Sequence, residues 1–288
     1  MKLRDQIAVV TGASSGIGRA TARALARRGN TVVAVARREA LLREVATECQ
    51  SDAPKSGYLA GDLGDRAFAE GVVEETVARH GRIDVLVNNA AIPVRKLFYL
   101  TSVEDVEDAM RINFFSCVWT CYAAIPHMLR DGGGAIVNVS SFASKVVPTH
   151  ETLYAASKCA MNGFTEGLWN ELHGSNIHVA LVHPGPIDTE IWDKGEHPDG
   201  YQGRKFPPEL VADAILDAIE RPRHEVTVPR RNLQLVAARL LRLVAPGLLR
   251  AGVRRMDPVP PEALAAARER ARRGGRLGDD DAPSGPGD

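Results

Sequence analysis

Seven short, almost purely apolar runs alternate with segments of helical period along the first 229 residues, and few architectures accept that pattern. The runs are Ile7–Thr11, Thr31–Ala36, Tyr58–Ala60, Ile83–Val87, Ala135–Ser140, Ile177–His183 and Glu225–Val228. Strands that are apolar on both faces must be covered on both faces, which a parallel sheet with helical crossovers achieves. Between them, Gly16–Arg28 puts Ile17, Ala20, Thr21, Ala24 and Leu25 on one helical face. Glu39–Gln50, Asp65–His80, Val103–Leu129, Leu153–His173 and Pro208–Glu220 read as further helices. The pattern predicts an α/β chain, a doubly wound seven-stranded parallel sheet of the Rossmann kind, in one domain over residues 1–229.

Residues 230–288 break the alternation. Asn232–Ala251 is helical but interrupted at Pro246-Gly247, and Pro261–Arg273 is a second, Ala/Arg-rich helix. Gly274–Asp288 is Gly, Pro and Asp, a composition expected to be disordered. From Arg221 to Arg276 there are 14 arginines and no lysine against four acids, although the whole chain has a net charge of zero. A basic, helical extension over 230–273 has three readings: peripheral contact with an anionic membrane, packing on a partner subunit or over a pocket, or a solvated tail. Zero net charge removes any general attraction to nucleic acid.

The four cysteines form no CxxC pair, and no nearby His completes a metal set around Cys117 and Cys121, so they read as small core residues. No apolar leader precedes the first strand, and no apolar run reaches the roughly 18 residues of a membrane span. The expectation is a cytoplasmic protein without metal.

Two stretches carry chemistry. Thr11-Gly12-Ala13-Ser14-Ser15-Gly16-Ile17-Gly18 joins the first strand to the first helix. Glycines allow the tight turn and the close approach of a pyrophosphate to backbone N–H groups at a helix N-terminus. The second strand ends in Ala36-Arg37-Arg38, with no carboxylate to bind a ribose 2′-hydroxyl. A guanidinium there suits a 2′-phosphate, so NADP(H) is the expected cofactor, with Arg37, nearer the strand end, as its partner. Further on, Tyr154 and Lys158 share a helical face, and a neighbouring ammonium, together with the charge of an oxidised nicotinamide, favours the phenolate. Ser141 follows the strand that ends at Ser140, at the sheet edge where ligands bind. Spacing favours Ser141 over Ser140 for contact with a substrate oxygen.

TGxxxGxG, NNA, Ser, YxxxK and PGxxxT, in this order over residues 5–229, resemble the short-chain dehydrogenase/reductase family. The resemblance implies hydride transfer between NADP(H) and a carbonyl or alcohol substrate, with Tyr154 as acid/base. It also implies Gly12, Gly16 and Gly18, with Ser14, Ser15 and Ile17, along the pyrophosphate, and Asp62 and Leu63 at the adenine. Asn88, Asn89 and Ala90 would stabilise the central strand and touch the adenosine half. Asn113 would hold a water in a proton relay to Lys158, and Lys158 would bind the nicotinamide ribose. Pro184, Gly185, Ile187 and Thr189 would hold the nicotinamide. Glu190–Phe206, where the family builds its substrate lid, holds Trp192, Tyr201 and Phe206, which suit either a wall for a partly apolar substrate or packing of a mobile loop, and Val94–Leu100 would add another wall. Members pair through their two long helices, implying a homodimer or homotetramer. This chain departs from the pattern at Ala91, where the family usually has Gly. It departs again at Ser15, where some NADP-type members carry a basic residue, so the 2′-phosphate is left largely to Arg37. His183 and His150 read as a hydrogen-bonded core histidine and a loop histidine.

Overall fold

The apolar runs lie side by side in one parallel sheet. A computed structural model of the chain describes residues 1–193, 203–230 and 232–272. Strands β1 (Ile7–Thr11), β2 (Thr31–Ala36), β3 (Gly57–Ala60), β4 (Val85–Asn88), β5 (Gly134–Val139), β6 (Ile177–Pro184) and β7 (Glu225–Val228) take the order β3-β2-β1-β4-β5-β6-β7. Every pairing is parallel; Val9, for example, faces Val33 of β2 and Leu86 of β4.

The two-residue period sorts each strand between two apolar layers. Ala8 and Val10 join Val32, Ala34, Val85 and Val87 in the layer closed by α1 (Gly16–Arg27), α2 (Glu39–Gln50) and α7 (Glu209–Glu220). Val9, Val33, Val35 and Leu86 belong to the opposite layer, closed by α3 (Arg66–His80), α5 (Ser116–Arg130) and α6 (Thr152–Glu171). Burying each such Val or Leu contributes about 1.5–3 kcal/mol, so both faces of the sheet drive folding.

The long helix expected at Val103–Leu129 is two helices. α4 (Val103–Met110), started by a Ser102/Asp105 capping box, passes through a π turn at Arg111–Phe115 into α5. Asn113 lies in that turn and is fully buried. Its Oδ1 accepts from Ile92 N at 2.7 Å, and its Nδ2 donates to Ile92 O at 3.0 Å and to Ser157 Oγ at 3.1 Å. The widened turn lets one side chain tie the loop after β4 to α6.

Beyond the sheet lie α8 (Leu233–Val244), α9 (Pro246–Met256) and α10 (Pro261–Arg272). Pro246 has no N–H to continue α8, and it opens α9 at its first turn. Tyr201 and the expected disordered stretch Gly274–Asp288 lie outside the described residues.

Candidate active site

After β1 the chain turns to β2 on one side, while β4 lies on the other, so the loops leaving β1 and β4 diverge at their carboxyl ends. Gly12 (φ +64°) and Gly16 (φ +52°) adopt left-handed backbone there. A Cβ at Gly18 would fall 2.2 Å from Gly12 O, and one at Gly16 would fall 2.9 Å from Thr189 Cγ2. The loop therefore admits no side chains at these positions. Asn89 and Thr11 stitch it to β4: Thr11 Oγ1 accepts from Asn89 N at 2.9 Å and Ala90 N at 3.0 Å, and Asn89 Nδ2 donates to Thr11 O at 3.0 Å. Ser15 starts α1 without a capping hydrogen bond from its side chain, so the first-turn N–H groups have no side-chain acceptor. Unpaired N–H groups at a helix N-terminus suit an anion.

The crevice so formed encloses about 1030 Å³, counting its open mouth. Gly12, Ser14, Ser15, Gly16 and Ile17 line it together with Asn89, Ala90 and Ala91. Asp62, Leu63, Arg37, Arg38, Thr189 and Glu190 line it as well. The arginines differ in their commitments. Arg38 donates to Ser15 Oγ at 2.7 Å, to Ser14 Oγ at 3.1 Å and to Glu190 Oε2 at 2.7 Å. Arg37 is exposed and makes no ion pair among the described residues.

A second cluster sits at the carboxyl ends of β5 and β6. Ser140 turns inward, 3% exposed, and donates to Asn162 Oδ1 at 2.7 Å. Ser141 instead opens a short 3-10 turn, its Oγ accepting from Ala143 N at 3.1 Å and hydrogen-bonded to the Tyr154 phenol. Tyr154 is half-buried, and Lys158 is buried with its Nζ 5.9 Å from the phenol ring centre and donating to Val139 O at 2.9 Å. Burial, followed by the Glu151 charge, pushes the phenol up to about 12 against the Ser141 hydrogen bond and the Arg95 charge. Burial also pulls the Lys158 ammonium down to about 8. The expectation that the ammonium depresses the phenol is therefore reversed in the chain alone: desolvation disfavours both charged forms and wins.

The segment after β6 divides. Thr189 walls the crevice, whereas Ile187 is buried and bridges to Phe206. Pro184 ends β6, and Gly185 N donates to Val228 O at 2.7 Å. Gly18, Asn113, Ser141, Tyr154, Lys158, Pro184, Gly185 and Ile187 are not on the wall of the crevice described above. His183 is fully buried, its Nδ1 between Ser141 O and Ser144 Oγ, and burial holds it down at about 4. It is the core histidine expected. His150 lies in the loop before α6 at φ +64°. Cys117 and Cys121 do more than fill space: they hydrogen-bond the buried Asn138 and Asn88 side chains that link β5 to β4. Among the described residues no three His, Cys, Asp or Glu side chains gather as a metal set.

Residues 6–199 match the sequence profile of the short chain dehydrogenases. The chain belongs to that family. It is an oxidoreductase fold of the kind that uses a nicotinamide cofactor. It is similar to an uncharacterised oxidoreductase, YxnA, of Bacillus subtilis, at 35% identity over 235 residues, 79% of this chain. That match spans 66% of the Bacillus protein's length, slightly under two thirds. An uncharacterised oxidoreductase of Staphylococcus saprophyticus is 36% identical over 235 residues, 79% of this chain and 98% of the relative. One of Staphylococcus aureus is 30% identical over 230 residues, 78% of this chain and 97% of the relative.

Two residues near the phenol carry no motif. Arg95, 7% exposed, pairs with Glu151 at 3.3 Å, and its guanidinium lies 4.2 Å from the Trp192 ring centre. Glu151 precedes α6, one turn from Tyr154, and that spacing is its only sequence signal. The extension reaches the same side of the molecule. Arg242 donates to Ser144 O and Lys145 O, Leu235 lies against Gly185, and Asp257 Oδ2 sits 3.4 Å from His150 Nδ1.

Proposed function

We infer that the chain transfers hydride between NADP(H) and the carbonyl or secondary alcohol of a partly apolar small molecule, with Tyr154 as acid/base. The observation that carries this reading is the Ser141–Tyr154–Lys158 cluster at the sheet edge, beside a glycine cradle that excludes side chains. When bound, the nicotinamide supplies or accepts the hydride. The substrate oxygen lies between Ser141 Oγ, which holds it, and Tyr154 Oη, which gives or takes its proton. Lys158 spends one N–H on Val139 O and keeps two for the nicotinamide ribose. Asn113, its side-chain donors committed to Ile92 and Ser157, fixes the loop and α6 on which the relay depends. Gly12, Ser14, Ser15, Gly16, Ile17 and Gly18 line or shape the pyrophosphate cradle. Asp62 and Leu63 take the adenine, and Thr189, on the crevice wall, faces the nicotinamide, while Ile187 packs with Phe206. A phenol held at about 12 keeps its proton at neutral pH and is available there as the acid of the reduction step. A screen of ketones and aldehydes followed by NADPH absorbance tests the reading, and a chain that binds neither NADPH nor NADH would end it.

Arg37, rather than Arg38, carries the 2′-phosphate in this reading, because Glu190 already neutralises Arg38. A charge-assisted hydrogen bond is worth about 1.5–3 kcal/mol, so Arg37→Ala is expected to weaken NADPH by about 10- to 100-fold and leave NADH nearly unchanged. Titration of both cofactors checks this, and equal weakening would remove the role.

The homodimer or homotetramer forms through α5 and α6. Phe115, closing the π turn, and Tyr122 and Leu129 of α5 recur every seven residues and are 43%, 70% and 50% exposed. On α6, a Cβ at Gly163 or Gly167 would meet no other part of the chain within 4 Å, although helical glycines cost about 1 kcal/mol each. A partner helix approaching closely accounts for both. Light scattering is expected to give at least twice 31.1 kDa, and Tyr122→Glu a single chain. A monomeric unmodified protein would contradict the pairing.

A further inference from the structure

α8 has two unlike faces. Its inner face holds the body of the protein: Leu235 lies 3.1 Å from a Cβ built on Gly185, Arg239 pairs with Glu225 at 3.6 Å, and Arg242 donates to Ser144 O and Lys145 O. Its outer face is apolar. Leu233, Val236, Leu240, Leu243 and Val244 fall at i, i+3, i+7, i+10 and i+11, one stripe of a helix, and are 83%, 55%, 57%, 77% and 69% exposed. Past the break at Ala245, Leu248 and Met256 of α9 are 69% and 79% exposed. A helix whose inner side is tied down by hydrogen bonds while five large apolar side chains stand in water presents a contact surface.

Charge identifies the occupant. Residues 233–256 contain five arginines and no acid. Arg250, Arg254 and Arg255 are exposed and make no ion pair among the described residues. Phosphodiester backbones of nucleic acid would meet the arginines but gain nothing from the leucines. A second copy of this chain pairing symmetrically would bring each basic helix pair against its own copy, like charge on like. An anionic bilayer surface satisfies both features at once, burying the apolar stripe at the acyl boundary with the guanidinium groups at the lipid phosphates. Among the described residues no helix is long and apolar enough to cross a membrane, so the contact is interfacial.

We propose that the α8–α9 stripe docks the protein on an anionic lipid surface, with Leu240 and Leu243 inserted and Arg250, Arg254 and Arg255 at the headgroups. The proposal is independent of the cofactor and the reaction. Because the inner face of α8 grips the Ser144–Lys145 turn next to Ser141, docking sets the Ser141–Tyr154 side of the molecule close to the lipid. The full chain is mixed with vesicles of phosphatidylcholine alone or of phosphatidylcholine with phosphatidylglycerol, and sedimented. Binding is expected to the mixed vesicles, falling as salt screens the arginines. L240S/L243S removes two apolar side chains from the contact and is expected to lower binding by at least about 10-fold without changing the unfolding temperature, since both are exposed in the free protein. L233S/V244S makes the same comparison at the two ends of the stripe. R254Q/R255Q is expected to weaken binding to the mixed vesicles alone. Failure of the unmodified chain to sediment with phosphatidylglycerol vesicles overturns the proposal. So does equal sedimentation of the unmodified chain and both double-serine variants. An oligomer that L240S/L243S dissociates, without vesicle binding, would assign the face to a second copy instead.

Discussion

Tyr154→Phe is expected to retain NADPH binding and lose turnover by at least about 100-fold, the usual scale of a positioned proton donor. The ring, which packs and shapes the pocket, is unchanged; only the hydroxyl that meets Ser141 disappears. Its loss costs about 1 kcal/mol of stability at most, so the variant folds and a fall in kcat reports chemistry. NADPH fluorescence for binding and stopped-flow absorbance for turnover separate the two effects. Turnover like that of the unmodified protein would take Tyr154 out of the reaction. The direction of the phenol shift adds a pH signature. With the phenol near 12 it is protonated throughout the neutral range, so reduction is expected to vary little with pH between about 6 and 8. Alcohol oxidation needs the phenolate, whose fraction grows about tenfold per pH unit below the pKa, and so rises steeply with pH. An oxidation rate that is flat from pH 7 to 9 would show that this group is not the base.

The sheet and its cradle were legible because their signals are local. Apolar runs mark the strands, and every observed strand overlaps its predicted run, with ends moved by at most two residues. The glycines of 12–18 are a turn signal that needs no tertiary knowledge. What stayed hidden was long-range. No Pro or Gly marks the π turn at Arg111–Phe115; it exists because Asn113 reaches Ile92, 21 residues away. Arg95 lies in an aperiodic loop and meets Glu151 across 56 positions, a pairing that no window of sequence displays. Ser140 turns inward toward Asn162 while Ser141 lies beside Tyr154, and the spacing that favours Ser141 for the substrate oxygen belongs to the proposed reaction. The sign of the phenol shift was not legible: spacing puts an amine beside a phenol, but burial, set by the whole fold, decides which charge survives.

That burial leads to an expectation in which stability and activity part. Lys158 titrates near 8 in the folded chain against 10.5 when unfolded. Below about pH 8 the folded protein holds a buried ammonium at a cost of about 3 kcal/mol relative to the unfolded chain. Between 8 and 10.5 the unfolded chain carries the extra proton, so this group makes stability rise with pH through that window. Tyr154 acts oppositely above 10, where the unfolded phenol ionises and the folded one, near 12, does not. Lys158→Met replaces the ammonium with an unbranched apolar chain of similar length and forfeits the hydrogen bond to Val139 O, about 1 kcal/mol. The net expectation at pH 7 is a gain of about 2 kcal/mol, or roughly 4–8 °C in Tm for a chain of this size. Turnover collapses in the same variant, because nothing remains to hold the ribose. The rise in stability between pH 8 and 10 disappears with the lysine. Thermal unfolding of both proteins across pH 6–10 tests the argument, which fails if the methionine variant melts lower at pH 7 or keeps the same slope above pH 8. A buried lysine retained at such a cost in stability is the mark of a site tuned for chemistry rather than for packing.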